Sequence, residues 1–286
     1  MAIRLGANRY GKAETRLVRV VRDGPHHELR DLTVSVALAG DLAATHLTGD
    51  NSAVLPTDTQ KNTVYAFAKR YGVGEPEAFA LLLARHFVDT QPAVGWARVH
   101  LVEHPWERLG PHSFARAGGA SRVATVTVTG DASHVVSGVD GLVLLNTTDS
   151  EFTGFVRDAY TTLPEAKDRI LATEVSARWR WAAVGAGPSW SASWQGVRES
   201  LVAAFVETYS RSLQQTLYAM GERVLAGHPE IAEVRLALPN KHHLLVDLAP
   251  FGLDNPGEVF VATDRPYGLI EGTVLRDDLP PAPEAW

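Results

Sequence analysis

The 286-residue chain contains no cysteine. That single absence excludes disulfides, thiol nucleophiles, iron–sulfur clusters and thiolate metal sites. Long hydrophobic runs are missing too. The longest unbroken apolar stretch runs from Ala78 to Ala84, far short of the ~20 residues that span a bilayer. Positive charge is scarce: 27 Lys and Arg stand against 33 Asp and Glu, for a formal net charge of -6. With no broad basic field, nucleic acid and anionic membranes are excluded as expected partners. Also absent are a GxGxxG after a strand, a GxxxxGK[ST] loop and a GxSxG elbow. The opening MAIRLGANRYGK carries no signal-peptide core, and the closing DLPPAPEAW is Pro-rich with no peroxisomal tripeptide. Those ends favour a cytoplasmic, bacterial protein.

What is present is the composition of a globular protein, 45% hydrophobic and 21% charged, long enough for one large domain or two ordinary ones. Leu32, Val34, Val36 and Leu38 alternate with Thr33, Ser35 and Ala37, which predicts a half-buried strand. Leu17 to Val21 is expected to pair with it across Asp23, Gly24 and Pro25. From Gln60 to Tyr71 the period changes to that of a helix, with Thr57, Asp58 and Thr59 as capping candidates. A second helix is expected from Pro76, a favoured first-turn residue. Strands return at Trp96 to Val102, Arg122 to Thr129 and Val135 to Asn146.

The second half repeats that order. Asp168 to Trp181 reads as a strand with Leu171, Val175, Ala177, Trp179 and Trp181 on one face. Ala183 to Ser193 reads as a loop or hairpin tip, Arg198 to Thr208 as a helix. Another helix is expected from about Leu213, with Ser212 as its cap and Leu217, Met220 and Val224 on one face. Strands follow at Val234 to Leu238 and Leu244 to Leu248. Two ββααββ-like halves, 1–140 and 141–286, give an α+β class, with helices segregated from antiparallel hairpins.

Histidine spacing offers little metal chemistry. His100 and His104 are four apart, but Pro105 and the strand-like context read as ordinary polar positions. His242 and His243, taken as strand neighbours, would face opposite ways and could not easily share a metal. Three polar clusters sit badly with pure packing: Tyr10-Gly11-Lys12 at a strand start, Thr57 to Thr63 at a helix start, and Asn240-Lys241-His242 between two apolar strands. Each alone passes as a solvated lysine, a cap or a turn.

With further segments they form a set that resembles urate oxidase (uricase). The matching stretches are YGKAETRLVRV (10–20), TDTQKNTVYAFA (57–68), HSFAR (112–116), EFTGFVRDAYTTLPEAKDRILATEVSARWRW (151–181), LQQTLY (213–218), LPNKHHLLVDL (238–248) and DRPYGLIEGTV (264–274). The resemblance implies the tunnelling fold: two domains, each a four-stranded antiparallel sheet with two helices. It further implies a homotetramer whose sheets join into barrels. The reaction it implies is oxidation of urate by dioxygen to 5-hydroxyisourate and hydrogen peroxide, without metal or organic cofactor.

Residue by residue, the resemblance carries over Lys12, Thr57 and His242 as the catalytic group. Thr57, Asp58, Phe152, Arg169, Leu213, Gln214 and Asn240 become the urate-binding group. It places Thr57 and Asp58 on a neighbouring subunit, and the expectation follows that Lys12 and Thr57 of one working site belong to different chains. These residue types suit the chemistry. Arg169 offers a planar fork and Gln214 both donates and accepts along a purine edge. Phe152 offers a flat face, while Leu213 and Asp58 contribute backbone N–H groups. Asn240 and Thr57 would mark the dioxygen and water position, and Lys12 with His242 would relay protons. Two other readings compete: another tunnelling-fold purine or pterin enzyme, and a purine-binding tetramer without catalysis. The first would anchor its ring on glutamate, whereas these positions hold Arg169 and Gln214. The second is opposed by intact Lys12, Thr57 and His242.

Overall fold

The computed structural model describes residues 2–187 and 189–286. Besides a short hairpin pairing Trp106–Arg108 with Phe114–Arg116, its strands are β1 (Tyr10–Val21), β2 (Glu28–Gly40), β3 (Val94–Glu103), β4 (Ser121–Thr129), β5 (Ala132–Asn146), β6 (Leu171–Trp181), β7 (Ile231–Asn240), β8 (His243–Leu245), β9 (Phe260–Ala262) and β10 (Gly268–Leu275). Its main helices are α1 (Thr57–Arg70), α2 (Pro76–Thr90), α3 (Trp190–Glu207) and α4 (Leu213–Gly227). Strands dominate, the helices come in pairs, and the class is α+β. The chain divides into two compact units: 1–138 with 179–194 and 278–286, and 139–178 with 195–277.

In the first unit, β1, β2, β3 and β4 form an antiparallel sheet in that order. The alternation in β2 acts as expected: Leu32, Val34, Val36 and Leu38 are all buried, because side chains alternate across a pleated strand. The stripe Phe79, Leu83 and Phe87 of α2 is equally buried, and that helix packs on β3 and β4. Glu77 on α2 is fully buried and held by Arg122 at 2.5 Å and by the Ser137 hydroxyl at 2.6 Å. That pairing satisfies a charge which burial alone would penalise heavily.

In the second unit, β6 and β7 are neighbours and β10 closes the sheet antiparallel to β7. Leu217, Met220 and Val224 of α4 are buried together with Ile231, Leu236 and Leu238 of β7. Helix α4 lies close to β10. A Cβ on Gly221 would meet Val274 at 2.5 Å, so this position accepts only glycine without movement. The Ser212 hydroxyl caps α4 by accepting from the Gln215 N–H at 3.2 Å, as its sequence position indicates.

Three local expectations are corrected. Thr57, Asp58 and Thr59 do not cap α1: the N-cap is Pro56, without a side-chain bond, and these residues form the first helical turn. Residues 190–193 belong to α3 rather than to a loop, so the connection is shorter than expected. Strand β6 begins at Leu171, because residues 168–170 leave the ladder to form one wall of a cavity.

Candidate functional site

The second unit contains a cavity of about 590 Å³ lined by Phe152, Arg169, Asn240 and His242, among others. Three chain segments are laced together to build it. Phe152 exchanges backbone hydrogen bonds with Ala166, at 2.7 and 3.1 Å. The Arg169 N–H donates to Ser150 O at 2.9 Å, and the Glu151 N–H donates to Ser210 O at 2.8 Å. Ser210 is buried and receives a hydrogen bond from the Thr216 hydroxyl at 2.8 Å, which ties the segment to the start of α4. Leu213 and Gln214 are the first two residues of that helix. Their N–H groups are helix-end donors with no acceptor in the preceding turn. Leu213 is buried, Gln214 is exposed, and neither lines the cavity itself.

Arg169 is the electrostatic centre of this cavity. Its guanidinium lies 5.4 Å from the centre of the Phe152 ring. Its Nε is buried and has no hydrogen-bond partner. Burial draws its pKa below the ordinary value. An unsatisfied buried donor on a cation is costly, and an anion with acceptor edges would relieve it. Phe152 is stacked parallel to Phe155, with ring centres 4.9 Å apart and an interplanar angle of 11°. Phe155 stands three residues on in the same EFTGF stretch, and only the fold brings the two rings face to face.

Asn240 ends β7, and His242 lies between β7 and β8. His242 is therefore outside a regular strand, and the expected opposition of His242 and His243 does not hold: both line the cavity. Elsewhere, His100 is bonded to the Thr125 hydroxyl at 2.8 Å. His104 is bonded to the Thr33 hydroxyl and to an Arg116 guanidinium nitrogen, each at 2.8 Å. Both behave as ordinary polar residues in hydrogen-bond networks.

Lys12, Thr57 and Asp58 all lie in the first unit. Gly11 passes so close to β2 that a Cβ there would fall 1.8 Å from Val36 O, which requires glycine. Immediately after Lys12 the β1–β2 register shifts, and Glu14 has a positive φ of 54°. Such a bulge re-aims the side chains beside it. The Tyr10 hydroxyl both donates to Leu55 O at 3.1 Å and accepts from the Leu55 N–H at 3.0 Å. It thereby pins the start of β1 to the turn before Thr57. The Asp58 carboxylate accepts from Lys61 at 2.5 Å and from Asn62 at 2.9 Å. Hydrogen bonding and attraction from Lys61 hold its pKa below the ordinary carboxylate value, and the Lys12 ammonium adds to the effect. Lys12 and Asp58 thus lie within electrostatic reach of each other in the first unit.

A uricase family model matches residues 8–127 and 135–271. The chain belongs to the uricase family. It is 51% identical to a uricase of Arthrobacter globiformis over 275 residues, covering 96% of this chain and 90% of the relative. It is 38% identical to the uricase of Aspergillus flavus, covering 96% of this chain and 97% of the relative. The crystal structure of the Arthrobacter globiformis uricase superposes with a TM-score of 0.95 at 49% identity, over 99% of this chain and 98% of that one. A Bacillus sp. TB-90 urate oxidase structure, at 23% identity, shares the fold with a TM-score of 0.83, over 94% of this chain and 100% of that one. The fold of this uricase-family chain is accordingly the α+β tunnelling fold. No helix among the described residues is long and apolar enough to cross a membrane.

Proposed function

We propose that urate oxidation by this uricase-family chain takes place at the Phe152–Arg169–Asn240–His242 cavity, completed by Lys12, Thr57 and Asp58 of a second copy. One observation carries the placement: a cationic side chain with a buried, unpartnered Nε stands in a cavity beside an aromatic ring. Urate is a planar anion with amide-like edges, and it supplies what Arg169 lacks.

In this reading Arg169 grips one edge of the purine with its fork, and Gln214 donates and accepts along the adjacent edge. Phe152 offers its face to the ring. The N–H groups of Leu213 and Asp58, both in the first turn of a helix, meet anionic or carbonyl oxygens. Urate, dioxygen and water give 5-hydroxyisourate and hydrogen peroxide. The urate dianion is itself electron-rich enough to reduce dioxygen, so the chemistry calls for no metal or organic cofactor. Asn240 and Thr57 hold the place above the ring where dioxygen and then water react. Lys12 lowers the proton affinity of Thr57 and, with His242, passes protons between the ring and that place. Because Lys12 acts on Asp58 within one chain, we take Lys12, Thr57 and Asp58 as delivered together by one subunit of a homotetramer. The two ββααββ-like domains, 1–140 and 141–286, join sheets between subunits to form barrels. A cytoplasmic location accords with the similarity to a bacterial uricase.

The test is the ultraviolet absorbance of urate in aerated buffer, with exhaustive chelation and no added cofactor. Loss of the urate band with stoichiometric peroxide is expected. Absence of turnover, or turnover restored only by one added metal, would refute the proposal.

A further inference from the structure

We infer that the Lys241–Glu174 ion pair is a positioning clamp for the two groups that flank Lys241 in sequence, Asn240 and His242. The inference rests on the reading of those two residues as parts of the urate site. Strand β7 ends at Asn240 and β8 begins at His243, so Lys241 and His242 form a link outside either strand. A short link between strands is ordinarily the part of a fold most free to shift. Here it is held from two sides. On the β6 side, the Lys241 N–H donates to Ala172 O at 2.8 Å. From the same residue, the ammonium donates to Glu174 Oε2 at 2.5 Å. On the other side, the Thr263 N–H and hydroxyl both donate to His242 O, at 2.9 and 3.1 Å.

Residues 240 and 242 contribute to the cavity wall, and residue 241 does not. Lys241 therefore reaches away from the cavity while its two neighbours reach into it. Drawing the ammonium to Glu174 fixes which way the intervening peptides face, and with them the direction of both neighbouring side chains. The pair is 32% and 44% exposed. Exposed ion pairs add little to global stability, so the contribution of this one is to geometry. Lys241 and Glu174 touch no substrate; they act through Asn240 and His242.

The experiment compares Lys241→Met, Glu174→Gln and the double exchange Lys241→Glu with Glu174→Lys, with His242→Ala as reference. Steady-state kcat, the KM for urate and for dioxygen, and the affinity for xanthine are measured alongside thermal midpoints. Xanthine is a purine whose affinity reads the groups that grip the ring, Arg169, Gln214 and Phe152 foremost, apart from turnover. Each single variant is expected to lower kcat roughly tenfold, with hundredfold as the upper bound for an ångström-scale misplacement of reacting groups. Xanthine affinity and the KM for urate should hold, because the purine edge is gripped elsewhere. The double exchange should recover most of kcat by restoring the pair in reverse. Singles with unchanged kcat would overturn the clamp. So would a kcat loss matched by an equal loss of folded protein or of xanthine affinity, since that pattern marks general destabilisation. If His242→Ala itself turns over at the parent rate, the underlying site reading fails instead, which separates the two ideas.

Discussion

The Lys12–Thr57–Asp58 cluster of the first unit and the Arg169 cavity of the second differ in what they still need. In the first cluster, charges already have partners: Asp58 is bonded to Lys61 and Asn62 and feels Lys12. In the second, a half-buried guanidinium keeps a buried donor without an acceptor. A carboxylate already bonded to a cation has little electrostatic reason to attract an anion, whereas a desolvated cation has a large one. In the proposed site the second unit supplies the cationic anchor and His242, and the first supplies Lys12, Thr57 and the Asp58 N–H.

The strongest challenge to that division is complementation. Thr57→Ala and Arg169→Ala variants should each lose most activity, with removal of acid–base help alone worth about 10²- to 10⁴-fold. Mixed and refolded together, they should recover part of it, because some sites pair an intact first-unit cluster with an intact cavity. Lys12→Ala mixed with Thr57→Ala should recover nothing, since both defects fall on the same cluster. Recovery in that second mixture, with hybrid tetramers verified by native mass spectrometry, would break the grouping.

Arg169→Lys probes the anchoring side. Lysine keeps the charge and loses the planar two-point fork. One lost charge-assisted hydrogen bond costs ~1.5–3 kcal/mol, roughly ten- to a hundredfold in xanthine affinity. An unchanged dissociation constant would remove Arg169 from the anchoring role.

Tyr10→Phe probes the other side. It deletes both hydrogen bonds to Leu55, at ~0.5–1.5 kcal/mol each. Denaturant midpoints should fall accordingly, and kcat should fall more than xanthine affinity, since only the Asp58 N–H of this cluster meets the purine. An equal loss of xanthine affinity would mean that the first-unit cluster anchors the purine as strongly as the Arg169 cavity does.

The smallest effect is in pH. His86 and His104 both lie in the first unit with pKa values below the ordinary 6.5, chiefly through burial; for His104 the Arg16 and Arg116 charges add to the shift. The folded pKa is below the unfolded one, so the unfolded chain takes up protons first as pH falls. Their contribution is complete above about 6.5 and is lost as pH descends through the folded values. Urea midpoints measured downward from pH 7 should decline over that window. His104→Gln, which can still meet Thr33 and Arg116, should flatten part of the slope; an unaltered slope would clear His104.

Legibility tracked the range of the forces involved. Strands β1 to β4 were readable because alternation is a local consequence of the pleat, and α2 because Pro76 opens a continuous 3.6-residue stripe. The start of α1 was misread because capping residue types also suit a first helical turn. The start of α3 was misread because Gly, Ser and Trp resemble a loop until the indoles find partners. Trp190 does so against Trp181, edge-on with ring centres 4.3 Å apart. Candidate site residues were all named through motif resemblance, not by periodicity. No local pattern distinguishes Arg169, in the cavity wall, from Arg178, which pairs with Asp140 at 2.6 Å.

By itself, then, the sequence determined the exclusions, the element order and the set of residues to watch, since these depend on composition and on neighbours along the chain. Tertiary structure decided which of those residues share a surface. It placed Lys12 near Asp58 through the Tyr10–Leu55 contact across 45 positions. It left Arg169 Nε without an acceptor and drew Lys241 to Glu174 across 67. The physical reason is that hydrogen bonds and charges act through space over a few ångströms. A linear chain records residue types, but only folding sets those distances.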